Sequence, residues 1–281
     1  MALSVTLAAA GAIPPALRGI ILGIVEGLTE FLPVSSTGHL ILLSSVLGHE
    51  DEASKTLDVV IQLGAVLAVV VYYRALLGRV VSGVMKRDPE MMRLTVALGI
   101  AFFPAALVGF FFHKAIKAWG FAPVPVAIAA ILGGVAMIAL EWYAKRRPPA
   151  EDEGLKSVTP SRALTIGLAQ CLALWPGMSR SMTTILGGQL CGLRTSTAAE
   201  FSFLLAIPVL GAATLFDLVK GGRALFEAPG GVVALGAGLV TAFIVSLAVI
   251  AVFLRYLKRF GLTPFGVYRI VLGIVVLQTA S

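Results

Sequence analysis

A chain of 281 residues that is 58% hydrophobic and 13% charged, with a mean hydropathy of +0.95, is too apolar for a water-soluble domain. Its net charge of +7 reads as loop topology beside a membrane and not as a nucleic-acid surface, and Cys171 and Cys191 are too few for a disulfide framework. The composition predicts an all-α polytopic membrane protein, each crossing using about 20 apolar residues to match a hydrocarbon core of roughly 30 Å.

The opening stretch MALSVTLAAAGAIPPALRGI lacks the basic start and small-residue cleavage site of a secretory signal, so it reads as part of the mature chain. Segment 17–47 is apolar but interrupted from Pro33 to His39, and spans follow at 57–73, 91–113 and 121–143. Segment 161–191 is interrupted from Pro176 to Thr184, with further spans at 196–219, 230–256 and 265–279. Hydrocarbon offers no partner to freed backbone groups, so a helix break at membrane depth belongs inside the protein or beside a wet cavity. The expectation is six transmembrane helices plus two re-entrant helical hairpins.

Under that arrangement one set of loops holds fourteen lysines and arginines: Arg74, Arg79, Lys86, Arg87, Arg93, Lys145, Arg146, Arg147, Lys156, Arg162, Arg194, Arg255, Lys258 and Arg259. The other holds six: Arg18, Lys55, Lys114, Lys117, Lys220 and Arg223. Basic excess marks the cytoplasmic side, which puts both termini outside. Trp119, Trp142, Tyr143, Tyr72 and Tyr73 lie near span ends, as interfacial anchors or as ordinary packing residues.

At an offset of 144 residues Arg18 pairs with Arg162, Gly23 with Gly167, Leu28 with Leu172, Phe31 with Trp175 and Ser35 with Ser179, while Glu26 falls opposite Gln170. Asp58 and Glu200 each open the span after a broken segment. The reading is a pair of inverted-topology repeats, about 17–143 and 161–279, joined by a cytoplasmic linker at about 144–160; chance similarity between apolar helices is its rival. Broken helices in inverted repeats bring their tips together near the midplane.

The tips carry the chemistry. Glu26 and Glu30 share one helix face, about 5 to 6 Å apart between Cβ atoms. In poorly hydrated surroundings they need a shared proton, a basic partner or a hard cation such as Mg²⁺ or Ca²⁺ completed by water or phosphate. Ser35, Ser36 and Thr37 follow Pro33, where a new helix N-terminus binds anions; one of them serves as a cap, and a hydroxyl beside a carboxylate and His39 is a candidate nucleophile. His39 can take a proton, ligate a metal or be structural. In PGMSRSMTT, Arg180 flanked by Ser179 and Ser181, with Thr184 near, suits a phosphate, or else Arg180 pairs with a buried acid such as Glu30. The set suits phosphoryl transfer.

EGLTEFLPVSSTGHL at 26–40 and PGMSRSMTT at 176–184 closely resemble the two signature regions of the bacterial undecaprenyl-diphosphate phosphatase family of the BacA type, and the resemblance runs over nearly the whole chain, including DVVIQLGAVLAVV at 58–70 and AEFSFLLAIP at 199–208. It implies removal of the terminal phosphate of undecaprenyl diphosphate to recycle the carrier for cell-wall polymers, in the bacterial inner membrane, with the site facing the periplasm or outside. By the same resemblance Glu26 and Glu30 are tied to a divalent cation, Ser36 is the nucleophile, His39 assists and Arg180 binds phosphate. Ser35, Thr37, Ser179, Ser181 and Thr184 complete the expected phosphate cradle. Met182 and Thr183 depart from the Gly-Ser common in the second signature; Met182 is expected to narrow the pocket, and no core catalytic position is lost. VSSTGH superficially resembles the PSGH-like segment of a second membrane phosphatase class, but His49 and His113 lack its SRxxxHxxxD setting. Two alternatives stay open: a metal-activated water in place of Ser36, and a prenyl-phosphate flippase or other transporter on the same inverted-repeat fold. The expected partners are the substrate, membrane lipid and a second copy of the chain in a homodimer.

Overall fold

The computed structural model describes residues 13–46, 51–120, 122–144, 146 and 153–280, and these contain helices and no strands. In chain order the helices are α1 Pro15–Thr29, α2 Ser36–Val46, α3 Glu52–Val60, α4 Gln62–Tyr72, α5 Arg74–Met85, α6 Pro89–Gly120, α7 Pro123–Ala144, α8 Pro160–Gln170, α9 Arg180–Leu190, α10 Thr195–Glu227, α11 Gly231–Leu257 and α12 Thr263–Ala280. Two short 3₁₀ turns, Gly154–Ser157 and Cys171–Leu174, precede α8 and follow it. Most of the opening stretch, His49, Lys145 and residues 147–152 of the linker, with Arg147 among them, lie outside the described residues, as do the side chains of His113, Lys114, Lys117 and Trp119.

Five helical stretches are long and apolar enough to cross a membrane: Glu52–Tyr72, Pro89–Phe112, Pro123–Ala144, Thr195–Glu227 and Gly231–Leu257. The sixth expected span coincides with α12, a shorter apolar helix. The chain is therefore an all-α polytopic membrane protein. Several bounds differ from the sequence reading. Asp58 lies within α3 and not at its start, because Asp51 caps that helix by accepting from Ser54 N–H at 2.8 Å. The span then turns at Ile61, where α3 gives way to α4. Residues 74–85, expected as loop from their basic charge, form the helix α5, whose arginines are exposed while Leu76 and Val80 pack against the core. The breaks themselves are residues 30–35 and 171–179, so His39 and Thr184 stand inside helices and not in the gaps.

The halves pack crosswise. From the first half α1 lies along α11 of the second, and from the second half α8 lies along α6 of the first; α7 pairs with α12, and α10 with α3. In lipid, helices associate through close van der Waals approach and not through apolar burial. Gly19 and Gly23 show the device: a Cβ on either would overlap a backbone carbonyl of α11, of Ala234 or Gly238 respectively. Gly167 of α8 meets the backbone of Ala101 in α6 in the same way. Small residues thus let α1 and α8 each bury one face closely against a partner helix, while leucines such as Leu17, Leu28, Leu164 and Leu168 stay exposed on the other.

Candidate active site

Pro33 has no N–H and disfavours a helical residue before it, so α1 stops at Thr29. The chain restarts through Ser35, held at φ +73°, whose Oγ accepts from Gly38 N–H at 3.2 Å while its carbonyl accepts from His39 N–H. The second break repeats the device. Gly177 sits at φ +95° where a Cβ would meet the Val126 carbonyl, and Ser179, at φ +71°, accepts from Met182 N–H at 3.2 Å as its carbonyl accepts from Thr183 N–H. A serine in this region of backbone space costs about 1–3 kcal/mol and persists only where its surroundings enforce it. Each strained serine caps a helix whose first residue is a candidate site residue: Ser36 opens α2 and Arg180 opens α9. Both helices therefore begin with free N–H groups that favour an anion.

Glu30 joins the two beginnings. It is only 6% exposed; its Oε2 accepts a short hydrogen bond from Ser36 Oγ, and its Oε1 accepts from Arg180 Nη2 at 3.1 Å. Arg180 Nη1 donates to the Ser202 carbonyl at 2.8 Å and to Ser202 Oγ at 3.2 Å. A buried guanidinium–carboxylate pair recovers its desolvation cost only when further hydrogen bonds fill the remaining sites, and Ser36 and Ser202 provide them. Arg180 Nε stays buried with no partner among the described residues, leaving one donor of the fork unspent.

Glu26, one turn before Glu30, is fully buried, and neither of its oxygens finds a hydrogen-bond donor among the described residues. Glu30, Asp58 and Arg180 are the charged groups around it. No cluster of three or more His, Cys, Asp or Glu exists among the described residues, so protein ligands to a metal here would be the two glutamates. Two unpartnered buried oxygens are the chemistry of a hard-cation site, with phosphate or water filling the rest of the sphere.

His39 Nδ1 lies 2.7 Å from the Ser35 carbonyl, which can only accept, so that nitrogen carries a proton; in the neutral ring Nε2 then accepts from Tyr268 OH at 2.7 Å. The His39 and Tyr268 rings lie nearly parallel, with centroids 5.8 Å apart, and meet at their edges through this hydrogen bond. The hydrogen bond of Ser36 runs to Glu30, and those of His39 run to Ser35 and Tyr268. Thr37 is half-buried on the first turn of α2. On the second tip Ser179 Oγ and Ser181 Oγ are 3.0 Å apart, and Ser181 donates to the Leu32 carbonyl at 2.9 Å, tying one tip to the other. Thr184 is fully buried and hydrogen-bonded to the Arg180 carbonyl at 2.8 Å and to Ser202 Oγ at 2.6 Å. Ser181 and Thr184 thus serve the frame around Arg180.

Glu26, Glu30, Ser36 and Arg180, drawn from sequence motifs, come together in space. Ser202, from the AEFSFLLAIP stretch, and Tyr268 and Arg269, from α12, join them although the sequence reading singles out none of them as a site residue. Arg269 is fully buried and donates to the carbonyls of Pro33, Ala129, Gly177 and Met178. A lone arginine inside an apolar helix is the signal that could have found it, since intramembrane charge is costly and seldom idle.

A cavity of about 420 Å³ lies elsewhere, lined by Tyr73, Arg79, Glu90, Arg93, Lys156 and Glu200 among others, and shares no residue with this cluster.

Comparison with known proteins adds three findings. The family model described as bacitracin resistance protein BacA matches residues 19–275. A protein of Sorangium cellulosum named undecaprenyl-diphosphatase is 66% identical over 258 residues, 92% of this chain and 84% of that protein. Proteins of Nitrosospira multiformis (undecaprenyl-diphosphatase, 49% over 265 residues, 94% of each chain) and Burkholderia ambifaria (undecaprenyl-diphosphatase 1, 47% over 261 residues, 92% and 94%) are similar throughout.

Proposed function

The chain belongs to the family described as bacitracin resistance protein BacA, and from that premise we propose that it hydrolyses undecaprenyl diphosphate to undecaprenyl phosphate and inorganic phosphate. The product is the lipid carrier reused for cell-wall polymers. The observation that carries this reading is the single carboxylate of Glu30 shared between a serine hydroxyl and an arginine.

The prenyl tail stays in lipid, which confines the search to two dimensions and presents the head group to the tips. The terminal phosphate lies between the N-termini of α2 and α9, where Arg180 and free backbone N–H groups stabilise its charge. Ser36 Oγ attacks the terminal phosphorus: the new Oγ–P bond forms, the bond from phosphorus to the bridging oxygen breaks, and its electron pair leaves with undecaprenyl phosphate. The hydroxyl proton passes to Glu30, the acceptor supported by its hydrogen bond, while His39 fixes the first turn of α2 through Ser35. Water then attacks the phosphorus of the phosphoserine; the P–Oγ bond breaks, Glu30 returns its proton to Ser36 Oγ, and inorganic phosphate leaves with the water's oxygen and protons. Glu26 and Glu30 would hold a divalent cation, Mg²⁺ or Ca²⁺, which supplies neutralising charge to phosphate oxygens when bound.

The finer reading of the architecture is six spans and two re-entrant hairpins in inverted repeats, supported by the crosswise packing of α1 and α8 and the matched serine caps. The distribution of basic residues supports both termini outside, and the family resemblance is what favours the bacterial inner membrane with the site facing the periplasm or outside. The groups of the cluster all come from one chain, so a homodimer would not be needed to complete it.

Purified protein in liposomes, given undecaprenyl diphosphate, should release phosphate. Ser36→Ala and Arg180→Ala should each lower turnover by roughly 10³-fold or more, as loss of a nucleophile or of its charge-stabilising partner does. Rapid-quench labelling of the terminal phosphate should trap it on Ser36; full turnover without that adduct would favour direct attack by water. Head-group translocation with no phosphate release would sink the enzymatic reading in favour of a flippase.

A further inference from the structure

Arg269 is the charged side chain of its size most completely removed from solvent, yet among the described residues no carboxylate accompanies its guanidinium. Its Nη2 donates to the carbonyls of Gly177 (2.9 Å), Ala129 (3.1 Å) and Met178 (3.2 Å), and its Nη1 to that of Pro33 (3.3 Å). Pro33 and the pair Gly177 and Met178 are the very points at which the two broken segments lose their helical hydrogen bonds. These carbonyls belong to no helix ladder, and in hydrocarbon each orphan costs several kcal/mol. One guanidinium satisfies them on both tips at once, from the middle of α12, while the preceding residue, Tyr268, holds His39.

The consequence is geometric. Pro33 lies three residues before Ser36, and Met178 two residues before Arg180. A clamp on those two carbonyls fixes the start of α2 relative to the start of α9, and so fixes the attacking hydroxyl relative to the phosphate-binding guanidinium. The direct bonds between the tips, Ser181 to Leu32 and Arg180 to Glu30, are both side-chain bonds that a substrate or a proton could rearrange. The Arg269 bonds involve none of the reacting groups. Gly133 of α7 leaves the space that the guanidinium needs: a Cβ there would overlap Nη2 and crowd the terminal methyl of Met182.

We propose that Arg269 is the positioning residue of this site, a buried clamp that holds the two broken-helix tips in register so that Ser36 and Arg180 act on one phosphate. The proposal rests on the phosphatase reading for its kinetic consequence and on geometry alone for its structural one.

Two substitutions separate the effects. Arg269→Lys keeps the charge but replaces a two-armed fork with a point donor that cannot span both tips. Gly133→Ala keeps the arginine and all its acceptors and displaces it. Each is assayed in liposomes for kcat and KM of phosphate release, corrected for folded fraction by thermal melting, and followed by amide hydrogen exchange of residues 33–39 and 176–183. A displacement of about 1 Å in a reacting group costs around 10²-fold in rate. The expected result is a fall in kcat of roughly 10- to 100-fold with KM within about threefold of the unmodified protein, and faster exchange at both tips together. Three results would overturn the clamp: kcat per folded molecule unchanged in both variants, KM rising at constant kcat as for a direct phosphate ligand, or exchange that rises at one tip only. If the unmodified protein releases no phosphate, the phosphatase reading fails, and paired or unpaired exchange at the tips still decides whether Arg269 couples them.

Discussion

The two broken segments share a backbone and divide the chemistry. Each has a stem helix, a proline in the break, a serine at φ near +70° capping the next helix, and a start to that helix inside the protein. At the matched offset Ser35 meets Ser179, but Ser36 meets Arg180, Glu26 meets Gln170 and Glu30 meets Leu174. The first tip supplies acids and a hydroxyl, the second a cation. Two copies of the first would face each other as repelling carboxylates, and two copies of the second would hold anion without anything to attack it. The comparison teaches that strained backbone can be duplicated while the charged groups placed on it diverge into complementary roles.

The largest effect expected from erasing that difference is at Glu30. Glu30→Gln leaves Ser36 without an anionic acceptor and Arg180 without its counter-charge, and should lower phosphate release by about 10²- to 10⁴-fold, the range of general-base loss plus misplacement. Retained turnover in a reconstituted assay would remove Glu30 from the proton path.

A more pointed change is Glu26→Gln, which gives the first stem the residue the second stem already carries. Gln170 is accommodated at this level, buried and donating to the Ala101 carbonyl at 3.4 Å. Replacing Glu26 removes the crowding of carboxylates around Glu30 and Asp58 and should raise the melting temperature in chelator, because like acidic groups in a buried site oppose one another. The same variant should lose roughly 10-fold or more in activity at saturating Mg²⁺ or Ca²⁺ and respond less to chelation, the scale seen when metal-site support is removed. A melting temperature that falls in chelator, or full cation dependence, would argue that Glu26 is structural.

The smallest effects concern the caps that the segments share. Ser35→Ala and Ser179→Ala each remove a side-chain cap while keeping a Cβ at positive φ, and should cost about 1 kcal/mol. Glycine at either position relieves the backbone and should recover most of that loss. Thermal melts of the four variants test whether both tips are built alike; glycine falling below alanine at one tip would show that its serine does more than cap.

Much of the fold and of the site is legible in the sequence, for physical reasons. Prolines and hydroxyl clusters in apolar runs locate the breaks, because hydrocarbon forbids casual polarity, and the spacing of Glu26 and Glu30 puts them on one face. Ser202 and Tyr268 are not legible: FSFLLAIP and FGVYRIVLGI read as plain spans, and a serine or tyrosine in a helix does not declare what lies across from it. The turn at Ile61 is hidden since LDVVIQLGAV contains neither proline nor a polar cluster at that point. The helix α5 escapes a reading that takes cationic residues for topology and not for periodicity. Arg269 belongs to neither class of loop in the basic-residue count, and its exclusion from that count is itself the clue.

Glu30 has two oxygens and, within the protein, two hydrogen-bond partners beside any cation it shares with Glu26, and those two are not independent. While it is anionic, it holds Arg180 and attracts the Ser36 proton. Once that proton arrives, the carboxyl loses its claim on the guanidinium at the moment when the phosphoryl group gathers charge nearby. The fork at Glu30 would thus act as an exchange, accepting a proton and surrendering a cation in the same step, so that the guanidinium shifts its allegiance to the phosphate only after attack has begun.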